Sequence, residues 1–187
     1  MTVESDVAAR PTSWPQVWDV FRELRRADDR RSHYLFSRVT LDIWRAGQCL
    51  RYARGARCWV VRRMVLVADL VWTQALMGAE LPHEAWAGPG LKLEHGGRGV
   101  ILHPSVSLGR DVTIYHRVTI GVKDGRPAAS VGDRVYLGAG CVILGPVVLG
   151  EGCRIGANAV VTNDTEPHRT YAGTPARPVG TPRVHDL

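Results

Sequence analysis

The sequence predicts a parallel β-solenoid preceded by a region of α-helices. Two hydrophobic periods support this prediction. Before Gly78, apolar residues recur at three- and four-residue steps, as on one face of a helix, whereas from Leu81 onward large aliphatic residues recur every six positions. A third observation is that glycine directly follows six of these aliphatic residues. Short repeats of fixed length stack on one another, so each coil buries its aliphatic side chains against those of the next.

The six-residue period covers ten hexads with one interruption. Its aliphatic positions are Leu102, Leu108, Ile114, Ile120, Val131, Leu137, Ile143, Leu149, Ile155 and Val161. A straight strand would turn three of every six side chains inward, but only two are apolar here, so the chain must bend within each hexad. Weaker precursors at Leu81, Ala87 and Leu93 keep the spacing, so we expect the solenoid to begin there. The interruption adds five residues, which we expect to form a loop at 121–130.

The helical region divides into three predicted segments. Ser13 can cap a first helix, because Pro15 then occupies its first turn. Two further helices are predicted at about 33–52 and 56–77, with Gly55 marking the break between them. Their Trp and Val stripes are typical of packing surfaces.

The composition of the 187 residues is that of an ordinary folded protein with many turns. The chain is 45% hydrophobic and 22% charged and has 20 Gly and 11 Pro, which excludes a disordered tail, a coiled coil and a collagen-like repeat. We divide it into an N-terminal helical region 1–78, a solenoid domain 79–166 and a C-terminal tail 167–187.

Most of the net charge of +6 lies in the helical region, where residues 1–79 hold thirteen Arg against eight Asp and Glu. Arginines interleaved with acids and apolar residues at helical spacing are typical of solvated helix faces or subunit contacts. We therefore expect no nucleic-acid partner. The most apolar stretch, 59–77, is interrupted by Arg62, Arg63 and Asp69, so no membrane span is predicted.

The four cysteines are predicted to be buried thiols. They are Cys49, Cys58, Cys141 and Cys153, and none forms a C-x-x-C pair. Together with the absence of an N-terminal signal pattern, this indicates a protein of the reducing cytoplasm.

The repeat carries motifs that resemble a known family. The hexads LGRDVT, IYHRVT, LGAGCV and IGANAV, closed by YAGTPARPVG, resemble the hexapeptide-repeat acyltransferases. The resemblance implies a left-handed β-helix with three hexads per turn. The stretch ELPHEAWAGPGLKLEHGGRGVILHP is similar to the serine O-acetyltransferase branch of that family, and the resemblance covers about 78–180.

The resemblance implies that His95 is the catalytic base, that Glu80 orients it and that Glu94 lies near the amino group of the acceptor. This chemistry is reasonable because a hydroxyl has too high a pKa to attack a thioester unaided. A neutral imidazole takes its proton as the C–O bond forms, and a carboxylate fixes the tautomer. The alternative is that His95 is only a polar turn residue beside Gly96 and Gly97.

Two further residues are candidates for substrate binding. His116 lies one coil beyond His95, where it either contacts substrate or CoA or is simply exposed. The serine branch carries an Arg-His pair just before the hexad that follows the loop, and here the equivalent positions are Ala128 and Ala129. Arg126 is the nearest cation and is assigned to the substrate.

The resemblance implies acetyl-CoA as the donor, bound along the groove between neighbouring subunits of a homotrimer, with a dimer of trimers left open. It requires no metal. Small residues in the family hold CoA through backbone groups, and Arg177 can pair with a CoA phosphate. The matching positions are Gly138, Ala139, Gly156, Ala157, Thr174 and Ala176.

The leading function is therefore an acetyl-CoA-dependent O-acetyltransferase for serine or a serine-like amino acid, as in amino-acid biosynthesis. An acceptor that is a sugar or an antibiotic intermediate is the alternative within the enzyme class. A metal-dependent carbonic anhydrase on the same fold would need three converging His ligands, and the close two-His spacing is missing. A non-catalytic scaffold is the third class.

Overall fold

The computed structural model describes residues 11–31 and 34–180. Helices form the first part of the chain, as the sequence predicts. They are α1 (Trp14–Asp29), α2 (Leu35–Leu50), α3 (Ala56–Ala68) and a π-helix (Asp69–Leu76) that continues α3.

The predicted helices are confirmed, except that α2 ends at Leu50 instead of about 52 and the third helix changes its type. Ser13 precedes α1, and its backbone N–H donates to Oε1 of Gln16 at 3.2 Å, which satisfies a free donor at the helix start. The predicted start of the second helix at position 33 lies outside the described residues. The third predicted segment changes from α- to π-helical hydrogen bonding at Asp69. No helix within 11–31 or 34–180 is long and apolar enough to cross a membrane.

Short strands form the solenoid. They are β1 (Trp86–Ala87), β2 (Lys92–Leu93), β3 (Ile101–Leu102), β4 (Ser107–Leu108), β5 (Thr113–Ile114), β6 (Thr119–Gly121), β7 (Ser130–Val131), β8 (Tyr136–Leu137), β9 (Val142–Leu144), β10 (Val148–Leu149), β11 (Arg154–Ile155), β12 (Val160–Val161), β13 (Thr170–Ala172) and β14 (Arg177–Val179). From β1 to β12 every third strand belongs to the same sheet, so the chain winds around three sheets of parallel strands, and β13 adds to the sheet that contains β11. Only β14, which turns back along β13, is antiparallel among the described strands.

The core of the solenoid is the stack of aliphatic residues that the six-residue period predicts. All ten positions of the period are at most 3% exposed, as are the precursors Leu81, Ala87 and Leu93. Each short strand places one residue of the period inward and its neighbour outward, because side chains alternate along a strand. The parallel β-solenoid and its start near Leu81 are confirmed.

Two coils are longer than the regular repeat. Paired residues of β7 and β10 are 18 positions apart, whereas those of β4 and β7 are 23 apart, so five extra residues form the predicted loop. Paired residues of β1 and β4 are 21 apart. The three extra residues of this coil lie between β2 and β3, since Leu93 and Leu102 are nine positions apart instead of six.

The glycines that follow aliphatic residues allow neighbouring coils to approach closely. At Gly138, a Cβ atom would lie 2.7 Å from the carbonyl oxygen of Ile155 and 2.8 Å from the amide nitrogen of Ala157, on the next coil. The backbone of Gly138 is outside the left-handed region. Glycine is therefore required here for space and not for a turn.

A buried ion pair joins the helices to the first coil. The guanidinium of Arg45 in α2 is 1% exposed, and its Nε donates to Asp28 of α1 at 2.9 Å. The same guanidinium donates to the carbonyl oxygens of Ala87 and Gly88, and Asp28 accepts from the backbone N–H of Leu91. Arg45 thus departs from the prediction that the arginines of this region lie on solvated faces or subunit contacts.

Candidate active site

His95 lies on the three-residue insertion between β2 and β3. The insertion forms a short 3-10 turn, Glu94–Gly97, in which His95 adopts φ 55° and ψ 34°. Helix α2 holds this turn from outside: Ser37 accepts from the backbone N–H of Gly96 at 3.1 Å, and Thr40 donates to the carbonyl oxygen of Gly96 at 3.0 Å. The turn therefore fixes the backbone of His95 while its side chain remains exposed.

Three rings surround the His95 imidazole. The His116 ring lies edge-on with its centroid 5.0 Å away, the Tyr115 ring is 6.1 Å away, and the Tyr34 ring stacks at 6.5 Å. Tyr34 comes from the start of α2, whereas Tyr115 and His116 come from the next coil. The imidazole thus lies near three aromatic rings while it remains exposed to solvent.

The structure brings His116 to His95, which supports a site role over simple exposure. The side chain is half-buried, and its Nδ1 has no hydrogen-bond partner among the residues that the structure describes. A buried ring nitrogen without a partner has unused hydrogen-bonding capacity, which is unusual in folded proteins. The Nδ1 atom of His116 therefore has hydrogen-bonding capacity that no described residue uses, and a substrate role for His116 stays a prediction.

Glu94, the residue before the candidate base, is buried and paired. Its side chain is almost fully buried, and Oε1 lies 2.6 Å from Nζ of Lys92. The resemblance implies that the carboxylate of Glu94 lies near the amino group of the acceptor. In this structure the ammonium group of Lys92 already pairs with that carboxylate. An incoming ammonium would share this carboxylate with Lys92 or displace it.

Glu80 lies at the start of the solenoid with an exposed side chain. Its backbone bonds to the following coil, donating to Val100 at 2.8 Å and accepting from Leu102 at 2.9 Å. Within the described part of the chain, its carboxylate makes no hydrogen bond to His95. The orienting role of Glu80 therefore stays a prediction that rests on the motif.

Tyr115, which lies next to the imidazole, forms with Tyr136 a cluster that the sequence analysis did not identify. The rings of Tyr115 and Tyr136 are 5.1 Å apart, and the guanidinium of Arg154 lies 4.0 Å from the centre of the Tyr136 ring. Burial, followed by a hydrogen bond with Tyr115, raises the pKa of Tyr136 to about 12, so its phenol is neutral at physiological pH. The sequence contained a signal for Tyr136, because this residue occupies the outward position of β8. That position pairs with Thr113 of β5.

Arg126 lies in the predicted loop, away from the ring cluster. The loop turns back at Asp124 and Gly125, both with positive φ, and Lys123 and Arg126 pair across this turn. The Arg126 side chain is exposed and makes no ion pair with any residue in 11–31 or 34–180. The two alanines at the positions of the family's Arg-His pair are buried, so Arg126 remains the candidate cation of this loop.

The candidate CoA residues continue the corner that carries the two histidines. On four successive coils, one residue of each strand pairs with its equivalent on the next coil. Residues 95, 116, 139 and 157 each lie two positions after one of these paired residues. Ala139 and Ala157 thus follow His116 down one edge of the solenoid. Because neighbouring strands are about 4.8 Å apart, this edge extends about 14 Å from His95 to Ala157.

The remaining candidates lie where the chain leaves the solenoid. The peptide bond between Thr174 and Pro175 is cis, and Thr174 is exposed. The backbone N–H of Ala176 donates to Val160 at 2.8 Å, which keeps this turn against the last full coil. Arg177 begins β14 with an exposed guanidinium that donates to the carbonyl oxygen of Ala176.

Neither a metal cluster nor a reactive thiol is found in this region. The described residues contain no group of three or more His, Cys, Asp or Glu side chains that could hold a metal ion. All four cysteines are buried free thiols, and burial raises the pKa of Cys141 to about 12 and that of Cys49 to about 11. Buried thiols with a raised pKa are poor nucleophiles. The imidazole of His95, by contrast, is exposed and is a group that can act as a base.

Comparison with known proteins first identifies the repeat. Residues 128–163 match the family described as bacterial transferase hexapeptide (six repeats). This match includes the coil corners at Gly138 and Gly156, whereas His95 lies before it.

The similar proteins include serine acetyltransferases. The serine acetyltransferase of Mycobacterium tuberculosis is 38% identical over 121 residues, which cover 63% of this chain and 52% of that protein. The serine acetyltransferase of Helicobacter pylori J99 is 39% identical over 107 residues, covering 56% of this chain and 62% of that protein. The chain thus spans about half to three-fifths of the length of these relatives. The resemblance to serine acetyltransferases is confirmed.

Solved structures share the fold. Soybean serine acetyltransferase complexed with serine superposes with a TM-score of 0.70 at 26% identity, covering 89% of this chain and 70% of that chain. Serine acetyltransferase of Brucella abortus in complex with coenzyme A superposes with a TM-score of 0.71 at 23% identity, over 89% of this chain and 68% of that chain. These matches confirm the fold class, including the N-terminal helices.

Proposed function

We propose that this protein transfers the acetyl group of acetyl-CoA to the hydroxyl of serine or a serine-like amino acid. The observation that carries the proposal is the position of His95, exposed on an inserted turn that α2 holds in place. The similar proteins are serine acetyltransferases, which favours serine over a sugar or an antibiotic intermediate as the acceptor.

In the proposed reaction, the neutral imidazole of His95 accepts the proton of the acceptor hydroxyl as its oxygen attacks the thioester carbonyl. A tetrahedral intermediate forms with the negative charge on the former carbonyl oxygen. When this intermediate collapses, the C–S bond breaks and the imidazolium returns its proton to the CoA sulfur. The products are the O-acetyl ester and free CoA, and no covalent enzyme intermediate is needed.

The groups around His95 have distinct proposed roles. Glu80 stabilises the imidazolium and fixes its tautomer after a change of rotamer or on closure of the site. His116, with its unpartnered Nδ1, hydrogen-bonds the bound acceptor or donor. Glu94 attracts the ammonium group of the acceptor, and Arg126 from the loop attracts its carboxylate.

Acetyl-CoA is proposed to lie along the edge that runs from His116 towards the C-terminal turn. Ala157 is exposed and Ala139 half-buried at this edge, whereas Gly138 is buried and its backbone N–H donates to Ile155 of the next coil. The proposed contacts are Gly138, Ala139, Gly156, Ala157, Thr174, Ala176 and, for a phosphate, Arg177. In a homotrimer, a neighbouring subunit would close this edge into a groove and bring its loop towards His95. Two such trimers can join into a hexamer.

A thiol-release assay with acetyl-CoA tests the proposal. The acceptor panel contains serine, homoserine, threonine and sugar hydroxyls, and the protein is dialysed against chelator beforehand. We expect CoA release that depends on an amino-acid hydroxyl, with serine giving the highest kcat/KM. Release with sugars alone, or no release with any acceptor, would contradict the proposal.

A further inference from the structure

A cavity lies in the helical part of the molecule. It has a volume of about 210 Å³ and lies between α2, the junction of α3 with the π-helix, and the segment that begins the solenoid. None of its lining residues belongs to the ring cluster around His95. One water molecule requires roughly 10–15 Å³ of such space, so the cavity can hold a small organic molecule.

Asp69 lines this cavity and has a buried carboxylate oxygen for which the described part of the chain provides no partner. The residue is 8% exposed, and its Oδ2 accepts a hydrogen bond from Gln74 at 2.9 Å. Its Oδ1 is buried without a hydrogen-bond partner among the residues described. Asp69 is also the first residue of the π-helix, a rare conformation that is frequent at functional sites. A buried carboxylate oxygen without a donor is costly, so this atom indicates a missing donor.

His83 presents a second unpartnered atom on the same wall. Its ring packs against Gly47 of α2, where an added Cβ would lie 2.3 Å from the imidazole. The Nε2 atom is buried and bonds to nothing in the described part of the chain. Burial lowers the pKa of His83, so the ring is neutral near physiological pH and can either donate or accept a hydrogen bond.

The rim of the cavity provides the opposite charge. Arg62 of α3 is exposed, and its guanidinium has no ion-pair partner within 11–31 and 34–180. Arg51 and Glu84, also on the rim, lie 4.0 Å apart and largely neutralise each other. Two charged groups at the cavity are therefore without an ion-pair partner among the described residues: the buried carboxylate of Asp69 and the exposed guanidinium of Arg62. Leu66 also lines the cavity wall.

We propose that this cavity binds a small zwitterionic α-amino acid. Its ammonium group would donate to Oδ1 of Asp69, its carboxylate would pair with the guanidinium of Arg62, and its side chain would lie against Leu66 and Leu81. A phosphate or another simple anion fits less well, because it would face the carboxylate of Asp69. The inference does not depend on the proposed acetyl transfer, which takes place at different residues.

Calorimetric titration of the whole chain without acetyl-CoA tests this site. The probes are L-alanine, propionate, which lacks the ammonium, and ethylamine, which lacks the carboxylate. L-Alanine has no hydroxyl, so it is not an acceptor in the proposed reaction. We expect L-alanine to bind and each analogue to bind at least about tenfold more weakly, the effect of one charged hydrogen bond. Absence of binding, or equal binding of all three probes, would overturn the proposal.

Three variants locate the binding. Asp69→Asn and Arg62→Gln should each weaken L-alanine binding at least about tenfold, whereas Arg57→Gln, in the same helix but outside the cavity, should not change it. Arg62 is exposed, so its variant remains informative even if Asp69→Asn is unstable. Binding that survives Arg62→Gln belongs elsewhere, including the His95 site, and contradicts the proposal. Acetyl transfer is measured separately, so failure of one proposal leaves the other intact.

Discussion

At the scale of single residues, the site combines a fixed backbone with few charged contacts for a substrate. His95 is held by a turn that α2 anchors, while the nearest carboxylate, Glu94, is already paired with Lys92. The serine branch has an Arg-His pair near the loop where this chain has alanines, which leaves Arg126 as the candidate cation. The geometry therefore favours catalysis at His95 with weak recognition of the acceptor.

The first prediction concerns how tightly the carboxylate of the acceptor is bound. A bidentate contact to a carboxylate contributes about 1.5–3 kcal/mol, or roughly tenfold to a hundredfold in affinity. Serine should therefore saturate the enzyme only at millimolar concentration, and Arg126→Gln should raise the serine KM about tenfold further without changing the KM for acetyl-CoA. Lys123→Gln, in the same loop, is the control. Micromolar saturation, or equal effects of both variants, would refute this assignment.

At the scale of elements, the spacing of the coils depends on glycine at the corners. A Cβ on Gly138 would lie 2.7–2.9 Å from three backbone atoms of the next coil, whereas one on Gly121 would meet only a side-chain atom at 3.5 Å. Gly138→Ala should therefore cost about 1–3 kcal/mol or more of the free energy of unfolding, and Gly121→Ala should cost much less. Urea denaturation measures both. Equal stability of the two variants would mean that the coils shift easily.

The junction between helices and solenoid depends on the buried Arg45–Asp28 pair. Removal of one partner leaves the other charge buried and uncompensated, which typically costs about 3–5 kcal/mol. We expect Arg45→Ala to lower the free energy of unfolding by that amount. Arg38→Ala, which removes an exposed pair with Asp29, should cost less than about 1 kcal/mol. Similar losses in both variants would show that the Arg45 pair does not join the two parts.

The elements were predictable to the extent that they depend on local periodicity. The six-residue period identified the buried positions of the solenoid, and Ser13 and Gly55 correctly marked helix starts. The π-helix was not predictable, because its residues continue the apolar pattern of α3. The insertion that carries His95 had a signal, since Leu93 and Leu102 are nine positions apart, but it was not recognised as a break.

The ring cluster could not be predicted for a different reason. Tyr34 and Tyr115 approach His95 from a helix and from the next coil, so their proximity depends on coil register and helix docking. The burial of Arg45 likewise depends on how α2 docks, and an arginine between apolar residues resembles a surface residue in sequence. The six-residue period therefore could not predict contacts between distant segments. His95 was indicated only by the motif that is similar to the serine branch.

At the scale of the whole molecule, stability should depend on pH through His83. Burial lowers its pKa below the usual 6.5. Asp69 and Glu84 oppose this lowering with smaller effects, whereas Arg62 and Arg51 add to it. The unfolded chain therefore binds a proton below pH 6.5 more readily than the folded chain. Stability should fall as pH decreases from 6.5 towards the folded-state pKa, and then level off for this group.

Thermal unfolding between pH 7.5 and 5 tests this dependence. The loss of stability over this range should be smaller in His83→Gln than in the unsubstituted protein, because the variant lacks the titrating group. His103→Gln is the matched control, since His103 is a solenoid-turn histidine away from the cavity. Parallel pH profiles for His83→Gln and the unsubstituted protein would contradict the burial argument.

The central claim is that the molecule as a whole presents His95 as the general base of an acetyl transfer. Turnover of serine and binding of CoA, measured on His95→Ala, test it most directly. The substitution should lower kcat by about 10²–10⁴-fold while CoA binding, which we propose involves residues along another part of the edge, stays close to that of the unsubstituted protein. His116→Ala should reduce turnover less. Loss of turnover in His116→Ala with most of it retained in His95→Ala would contradict the account.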